Sequence, residues 1–420
     1  MNTHCQLGGQ NIHIVENNTG AKVRRKSWVV LLSLGLFGWV AVEQAAAQLR
    51  NDATQATIGQ HGYVTVLTVP STRAQAGAEI DFVHAQPMTL PGVPSRSDTE
   101  VQQDLIETLT SQPFLGEPGY SAGEKGNGII NLIRLGVPRV STANFDEITP
   151  QEIGLNNHPF STARADLEPA ATNTSYPYRA SGKLFFNKGT DTMVCSASLI
   201  KRGVVVTAAH CVADYGKSQY YANWQFVPGY RNGSAPFGVW SVQAAYVLTA
   251  YYNGTDFCAQ AGVVCQSDVA ILLLNPSAAG AYPGTSTGWY SYGWNGYGFT
   301  GSGLTHITQI GYPLCLDNGA YMERNDSHGY TSSSNANNTL IGSLMCGGSS
   351  GGPWLVNFGI RPGLTGTSAG TAPDSNIVVG VTSWGSNNPS PKEQGASPFL
   401  SSNIVPLVNM ACTAVPGACS

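Results

Sequence analysis

Ser350 is flanked by glycines in Cys346-Gly347-Gly348-Ser349-Ser350-Gly351-Gly352-Pro353, and every histidine in the chain lies upstream of it. A serine among glycines and a histidine closing an apolar run, Val206-Thr207-Ala208-Ala209-His210, are the residue types of a nucleophile and its base. The two stand far apart in sequence, so only a fold rich in long-range contacts can join them. Gly348 to Gly352 also fits Gly-x-Ser-x-Gly, the elbow of α/β-hydrolases, but in that architecture the histidine follows the serine. The eight histidines are His4, His13, His61, His84, His158, His210, His306 and His328, and none follows Ser350. Histidine, then aspartate, then serine is the order that remains.

At 420 residues the chain has room for a leader and two parts. Charged residues make up 11%, against roughly 25% in an average globular protein. With a net charge of −4 there is no basic field for nucleic acid and no cationic stripe for an acidic membrane surface. Lys22 to Lys26, the apolar run Trp28 to Val42 and Ala45-Ala46-Ala47 form a basic, an apolar and a small-residue region in succession. That succession describes an export signal, residues 1–47, cleaved after Ala47, and the run is short for a spanning helix.

Nine cysteines agree with export, because Cys5 falls in the leader and an even eight remain. Spacing favours local loops for Cys258/Cys265 and Cys412/Cys419. Cys195 and Cys211 flank apolar segments able to pair as adjacent strands, which leaves Cys315 with Cys346. There is no Cys-x-x-Cys spacing of the zinc type, and no cofactor or catalytic metal is expected.

Residues 48–170 hold no cysteine and carry helix signals. Ser97-Asp98-Thr99-Glu100 is a capping box followed by Val101, Leu105 and Leu109 on one face; Thr149-Pro150-Gln151-Glu152 is a second, ended by Gly154. In an exported hydrolase a partly helical prosegment is the expected role, with Arg164 and Arg179 as exposed processing candidates. From 171 to 420 short apolar runs alternate with Gly, Asn, Ser and Pro, the pattern of antiparallel strands joined by turns. Lys183–Phe186, Val194–Ile200, Val204–Ala208, Val269–Leu274, Thr305–Ile310 and Ile377–Ser383 are the clearest strands, and Asn403–Ala411 reads as a C-terminal helix.

Thr207-Ala208-Ala209-His210-Cys211, Asp268-Val269-Ala270-Ile271-Leu272 and Gly348-Ser349-Ser350-Gly351-Gly352-Pro353 together resemble the signature blocks of trypsin/chymotrypsin-like serine proteases. The resemblance covers roughly residues 175–410. It implies an all-β fold of two antiparallel barrels with the site between them. His210 would take the proton of Ser350 and return it to the leaving amine, and Asp268, opening an apolar strand, would orient the imidazole in preference to Asp214 or Asp256. Backbone N–H groups of Gly348 and Ser350 would receive the oxyanion. Ser349 is the rival nucleophile, and the Gly-Gly-Pro that follows favours Ser350.

Ser383-Trp384-Gly385 resembles the family's strand that pairs with substrate backbone, with Trp384 as a core aromatic the competing reading. Counting back six from Ser350 reaches Leu344, where trypsin-like members carry an acid, so basic specificity is disfavoured. Ser349 also replaces the family's usual aspartate, which puts the N-terminal activation switch in doubt. Gly288-Trp289 and Gly311-Tyr312-Pro313 are similar to segments of secreted bacterial glutamyl endopeptidases, although Thr382 stands where that branch places a glutamate-binding histidine. Expected partners are protein or peptide substrates and the chain's own prosegment, with no nucleic acid and no stable membrane association once the leader is removed; the expected location is extracellular or periplasmic. A catalytically inactive peptide-binding relative and an esterase using the same triad are the alternatives.

Overall fold

In the computed structural model the described residues are 56–138 except 71–78 and several positions between 94 and 115, then 159–166, and 171–420 except 336, 360–373 and 387–391. The leader and the second capping box lie outside them.

The first barrel is made of β1 (Ser181–Lys188), β2 (Asp191–Lys201), β3 (Val204–Thr207), β4 (Ala222–Pro228), β5 (Trp240–Leu248) and β6 (Ala270–Leu274). Their order is β5-β4-β1-β2-β3-β6, and pairing of β5 with β6 closes the ring. β3 and β6, Val-Val-Val-Thr and Ala-Ile-Leu-Leu-Leu, are buried along their whole length, as strands facing both the core and a covering layer must be. The β1–β2 hairpin turns through Gly189-Thr190, where Gly189 takes φ 64°, the left-handed backbone that a tight hairpin needs and a side chain resists.

The second barrel is made of β7 (Leu304–Gly311), β8 (Glu323–Thr331), β9 (Thr339–Gly342), β10 (Pro353–Val356), β11 (Ile377–Ser386) and β12 (Glu393–Pro398), ordered β10-β7-β8-β9-β12-β11 and closed by β10 with β11. Two closed six-stranded antiparallel barrels are thus the core of the fold. Ile307, Ile341, Trp354, Ile377 and Ala396 fill the second one. Helix α1 (Ile404–Ala414) starts at Asn403, whose side chain accepts from Ile404 N–H, and it buries Ile404, Leu407, Val408 and Ala411 on one stripe against the first barrel. Disulfides join Cys195–Cys211, Cys258–Cys265, Cys315–Cys346 and Cys412–Cys419.

Residues before 171 extend these sheets. A hairpin of Thr57–His61 and Val64–Thr68 adds to β5, Gly119–Ser121 adds to Ser291–Trp294, and Phe160–Arg164 adds to β8. The first capping box forms, with Ser97 and Glu100 bonded reciprocally and helical residues from Thr99 to Glu107 among those described. The described remainder of this region consists of short strands joined by irregular chain.

Both processing candidates are engaged, which corrects the expectation of exposed arginines. Arg179 is 7% exposed, its guanidinium donating to the carbonyls of Thr287, Thr174 and Lys125. Arg164 is bidentate to Asp317 at 2.5 Å and stacks on Tyr321. Among the described residues no helix is long and apolar enough to cross a membrane.

Candidate active site

β3 and β6 pair so that Thr207 lies opposite Ala270, which sends the chain past Thr207 and the chain before Ala270 off the same end of the pair. His210, in the 3-10 turn Ala209–Cys211, and Asp268 therefore meet. His210 N–H donates to Asp268 Oδ1 at 2.8 Å, and His210 Nδ1 donates to Oδ2 at 2.7 Å. A proton on Nδ1 leaves Nε2 with its lone pair. Ser383 Oγ donates to the same Oδ2 at 2.6 Å, so three donors hold a carboxylate that is 2% exposed. Asp256, the alternative acid, instead accepts from Phe257 N–H and Ser267 N–H, and burial pushes its carboxyl up to about 6.

Ser350 comes from the second barrel, in the loop entering β10. Gly348 and Gly351 adopt φ of 94° and 75° there. A Cβ on Gly351 would sit 2.0 Å from Thr207 Oγ1 and 2.8 Å from Ala208 N, so the loop lies directly on the strand that leads to His210. Ser196 of β2 fixes it further: its N–H donates to Ser350 O at 2.7 Å and its hydroxyl to Gly348 O at 2.8 Å. Ser350 Oγ and His210 Nε2 are both buried with no hydrogen-bond partner. The rival hydroxyl, Ser349 Oγ, is occupied by Cys346 O at 2.7 Å.

The remaining candidates divide. Gly385 presents its backbone N–H at the cleft, bonded to Pro91 O, and Gly348 N–H meets Met88 O. Trp384 is 1% exposed, packed with Val264, Tyr330 and Leu340 and bonded to Asn338, so its ring is a core aromatic and not a substrate wall. Thr382 is buried as well, its hydroxyl accepting from Gln309 Nε2 and Trp354 Nε1. Gln309 also bonds Gln394 and Ser343, a neutral amide and hydroxyl network beneath Met345. Leu344 is half-buried, with its N–H on Thr162.

Ser196, and the part that the Thr207 hydroxyl plays, escaped the sequence reading; a hydroxyl inside an apolar strand beside Cys195 or the His210 block was the available signal. Beside His210 opens a cavity of about 300 Å3 bordered by Met88, Pro91, Tyr215, Tyr221 and Tyr251.

The sequence profile of the trypsin family matches residues 168–401, more than half of the chain and both barrels. The chain belongs to the trypsin family. It is a serine-type peptidase, acting on proteins or peptides. No curated protein matches it. Similar solved structures include the protease Anisep from Arthrobacter nicotinovorans, at 25% identity over 56% of this chain and 96% of that one, with TM-score 0.45. A thermostable serine protease, AL20, from an extremophilic microorganism has 23% identity over 56% and 97%, TM-score 0.45. A Glu endopeptidase in complex with MPD has 18% over 60% and 96%, TM-score 0.43.

Proposed function

We propose that this peptidase is a secreted endopeptidase, made as a precursor, that cleaves peptide bonds through Ser350, His210 and Asp268 and an acyl-enzyme intermediate. The observation that carries the reading is the Asp268-bound imidazole with Nε2 unpartnered, beside a loop whose serine hydroxyl is likewise unpartnered and buried.

Ser350 Oγ attacks the scissile carbonyl carbon as Nε2 takes the hydroxyl proton. Negative charge then gathers on the former carbonyl oxygen, where the Gly348 and Ser350 N–H groups stabilise it; losing one such donor typically costs about 10²- to 10³-fold. His210 returns the proton to the leaving nitrogen, and the acyl group stays on Ser350 until water, activated by the same imidazole, releases it. Asp268 holds the tautomer and offsets the imidazolium charge without accepting the proton. The substrate's acyl side lies along Gly385, and the apolar Leu344 with the uncharged Thr382 network favours an uncharged side chain before the cleaved bond. Four disulfides suit an oxidising compartment, which supports export.

The test is fluorophosphonate labelling of precursor and processed forms, with the modified peptide located by mass spectrometry. Label on Ser350 is expected, absent in Ser350→Ala, with casein hydrolysis reduced on the order of 10⁶-fold. Equal labelling of Ser350→Ala overturns the assignment. No labelling of the processed form points to the non-catalytic relative, and turnover of short-chain esters without casein hydrolysis to the esterase.

A further inference from the structure

The cleft is spanned by a stretch of the chain's own N-terminal region, Gln86-Pro87-Met88-Thr89-Leu90-Pro91-Gly92-Val93. Prolines at 87 and 91 fix their own backbone and press Gln86 and Leu90 into extended conformation, so this segment is suited to lie as a strap. Gln86 and Pro87 run beside Met193 and Val194 of β2, and Met88 N–H donates to Val194 O at 2.8 Å. Met88 O accepts from Gly348 N–H at 3.3 Å, the donor assigned above to the oxyanion. Pro91 O accepts from Gly385 N–H at 2.9 Å, and Gly92 and Val93 then pair with Gly385 and Ser386 of β11. A Cβ on Gly347 would stand 3.1 Å from Met88 O, and one on Gly385 2.6 Å from Leu90 Cδ2, so the strap sits against both glycines of the rim.

Its direction matters more than its position. A productive substrate must turn its leaving nitrogen toward His210, which donates the proton. A ring nitrogen of His210 lies within 4.8 Å of both sulfurs of Cys195–Cys211, and Cys195 follows Val194 on β2. Chain beyond a scissile bond therefore leads to β2, and chain before it lies along β11. The strap does the reverse: its N-terminal end is on β2, its C-terminal end on β11, and it is parallel to its partner strand at both. With Met88 O at the oxyanion donor, the nitrogen of Thr89 heads toward β11 and away from the group that would protonate it.

We propose that Gln86–Val93 is a built-in inhibitor threaded against the substrate direction, which the cleft holds and does not cut. The proposal rests on the peptidase reading and adds the occupant of the site and the reason that it survives there.

The test compares fluorophosphonate labelling rates of the full-length chain with those of Met88→Pro/Leu90→Asp, which removes the bond to Val194 and sets a carboxylate against Gly385. The variant is expected to label at least about tenfold faster, the strap having lost a backbone bond and an apolar contact. A synthetic peptide of residues 84–95 is expected to slow it again and to stay intact while an ordinary substrate peptide is consumed. Leu90→Asp alone serves if the double variant fails to fold. Equal rates for full-length chain and variant overturn the proposal, as does a first cut inside 86–93. If the processed enzyme labels and the full-length chain labels equally fast, the strap alone is refuted; if the processed enzyme does not label, the peptidase reading falls with it.

Discussion

Lys183 lies on β1 with only 4% of its surface exposed, and its ammonium joins the barrels by donating to Gly319 O at 2.8 Å. Tyr230 and Phe185 present rings 4.9 and 5.4 Å away, and burial pushes the ammonium down to about 7 from an ordinary 10.5. Below pH 7 both folded and unfolded chains bind the proton, and this group gives stability no slope. Between about 7 and 10.5 the unfolded chain binds it and the folded chain does not, so stability rises with pH. One pKa unit corresponds to about 1.4 kcal/mol, so two pH units inside this window give at most about 3 kcal/mol. The Gly319 carbonyl and the Tyr230 ring favour the cation and reduce the figure to about 1–3 kcal/mol. Lys183→Met keeps the bulk, removes the titration and leaves Gly319 O short of a donor, a cost of about 1–3 kcal/mol that does not vary with pH. Urea unfolding of both chains in a Ser350→Ala background, which prevents self-digestion, at about pH 6, 7.5 and 9.5 gives the difference in which other groups cancel. Wild type should gain on Lys183→Met from pH 7.5 to 9.5; a flat difference, or one of opposite sign, refutes the account.

Glu323 is the opposite case. Burial first, and its bond to Asp317 second, raise the carboxyl to about 8, while the Arg164 side-chain bond holds Asp317 low. The folded chain holds that proton longer, so its contribution is full below about 4.5 and is lost as pH climbs to about 8; Glu323→Gln should gain up to about 4 kcal/mol on wild type from pH 5 to 8 in urea titrations. Gly351→Ala drives a Cβ to 2.0 Å from Thr207 Oγ1 at a left-handed φ, whereas Gly189→Ala meets nothing within 4 Å at a similar φ. The first is expected to cost about 2 kcal/mol or more and to slow Ser350 labelling at least tenfold, the second about 1 kcal/mol with labelling of the processed form unchanged.

Four of the six strands of the first barrel, β1, β2, β3 and β6, were readable because runs such as Val204–Val206 and Ala270–Leu274 are apolar throughout and are bounded by Gly203 and Asn275. β8 and β12, Glu-Arg-Asn-Asp-Ser-His-Gly-Tyr-Thr and Glu-Gln-Gly-Ala-Ser-Pro, were not, since they bury polar side chains whose partners lie elsewhere in the sequence. Asn325, for one, is fully buried and donates to Gly342 O. Arg179 misled for the same reason, a charged side chain made tolerable inside by carbonyls more than fifty and more than a hundred residues away. The hairpin at 57–68 carries the β-branched Val-Thr-Val-Leu-Thr, but the strand it joins, β5, lies far along the chain, and a local capping signal at Ser97 drew the region toward helix. The His210–Asp268 contact was legible from the two blocks that carry it, and Ser350 stood out by its glycine turn. What no local pattern held was the seam that aligns them.

Apart from the Lys183 ammonium and the Asp268 carboxylate, the groups that hold the Ser350 loop to the first barrel are neutral. Thr207 Oγ1 donates to Ser196 O, Ser196 Oγ accepts from Tyr312 N–H while donating to Gly348 O, and Tyr312 OH donates to Tyr230 O. Each such bond contributes about 1 kcal/mol net, yet an orphaned buried partner costs about 1–3 kcal/mol, so the barrels gain little from any one bond and lose more by slipping. Slippage would separate Ser350, carried by the second barrel, from His210 and Asp268, carried by the first. Ser383 crosses the same boundary, donating from β11 to the carboxylate that orients the imidazole. A chain with few charges can hold such an alignment because hydroxyls and peptide groups satisfy one another at short range without bringing a further charge near the buried Asp268 carboxylate, where it would compete for the His210 ring.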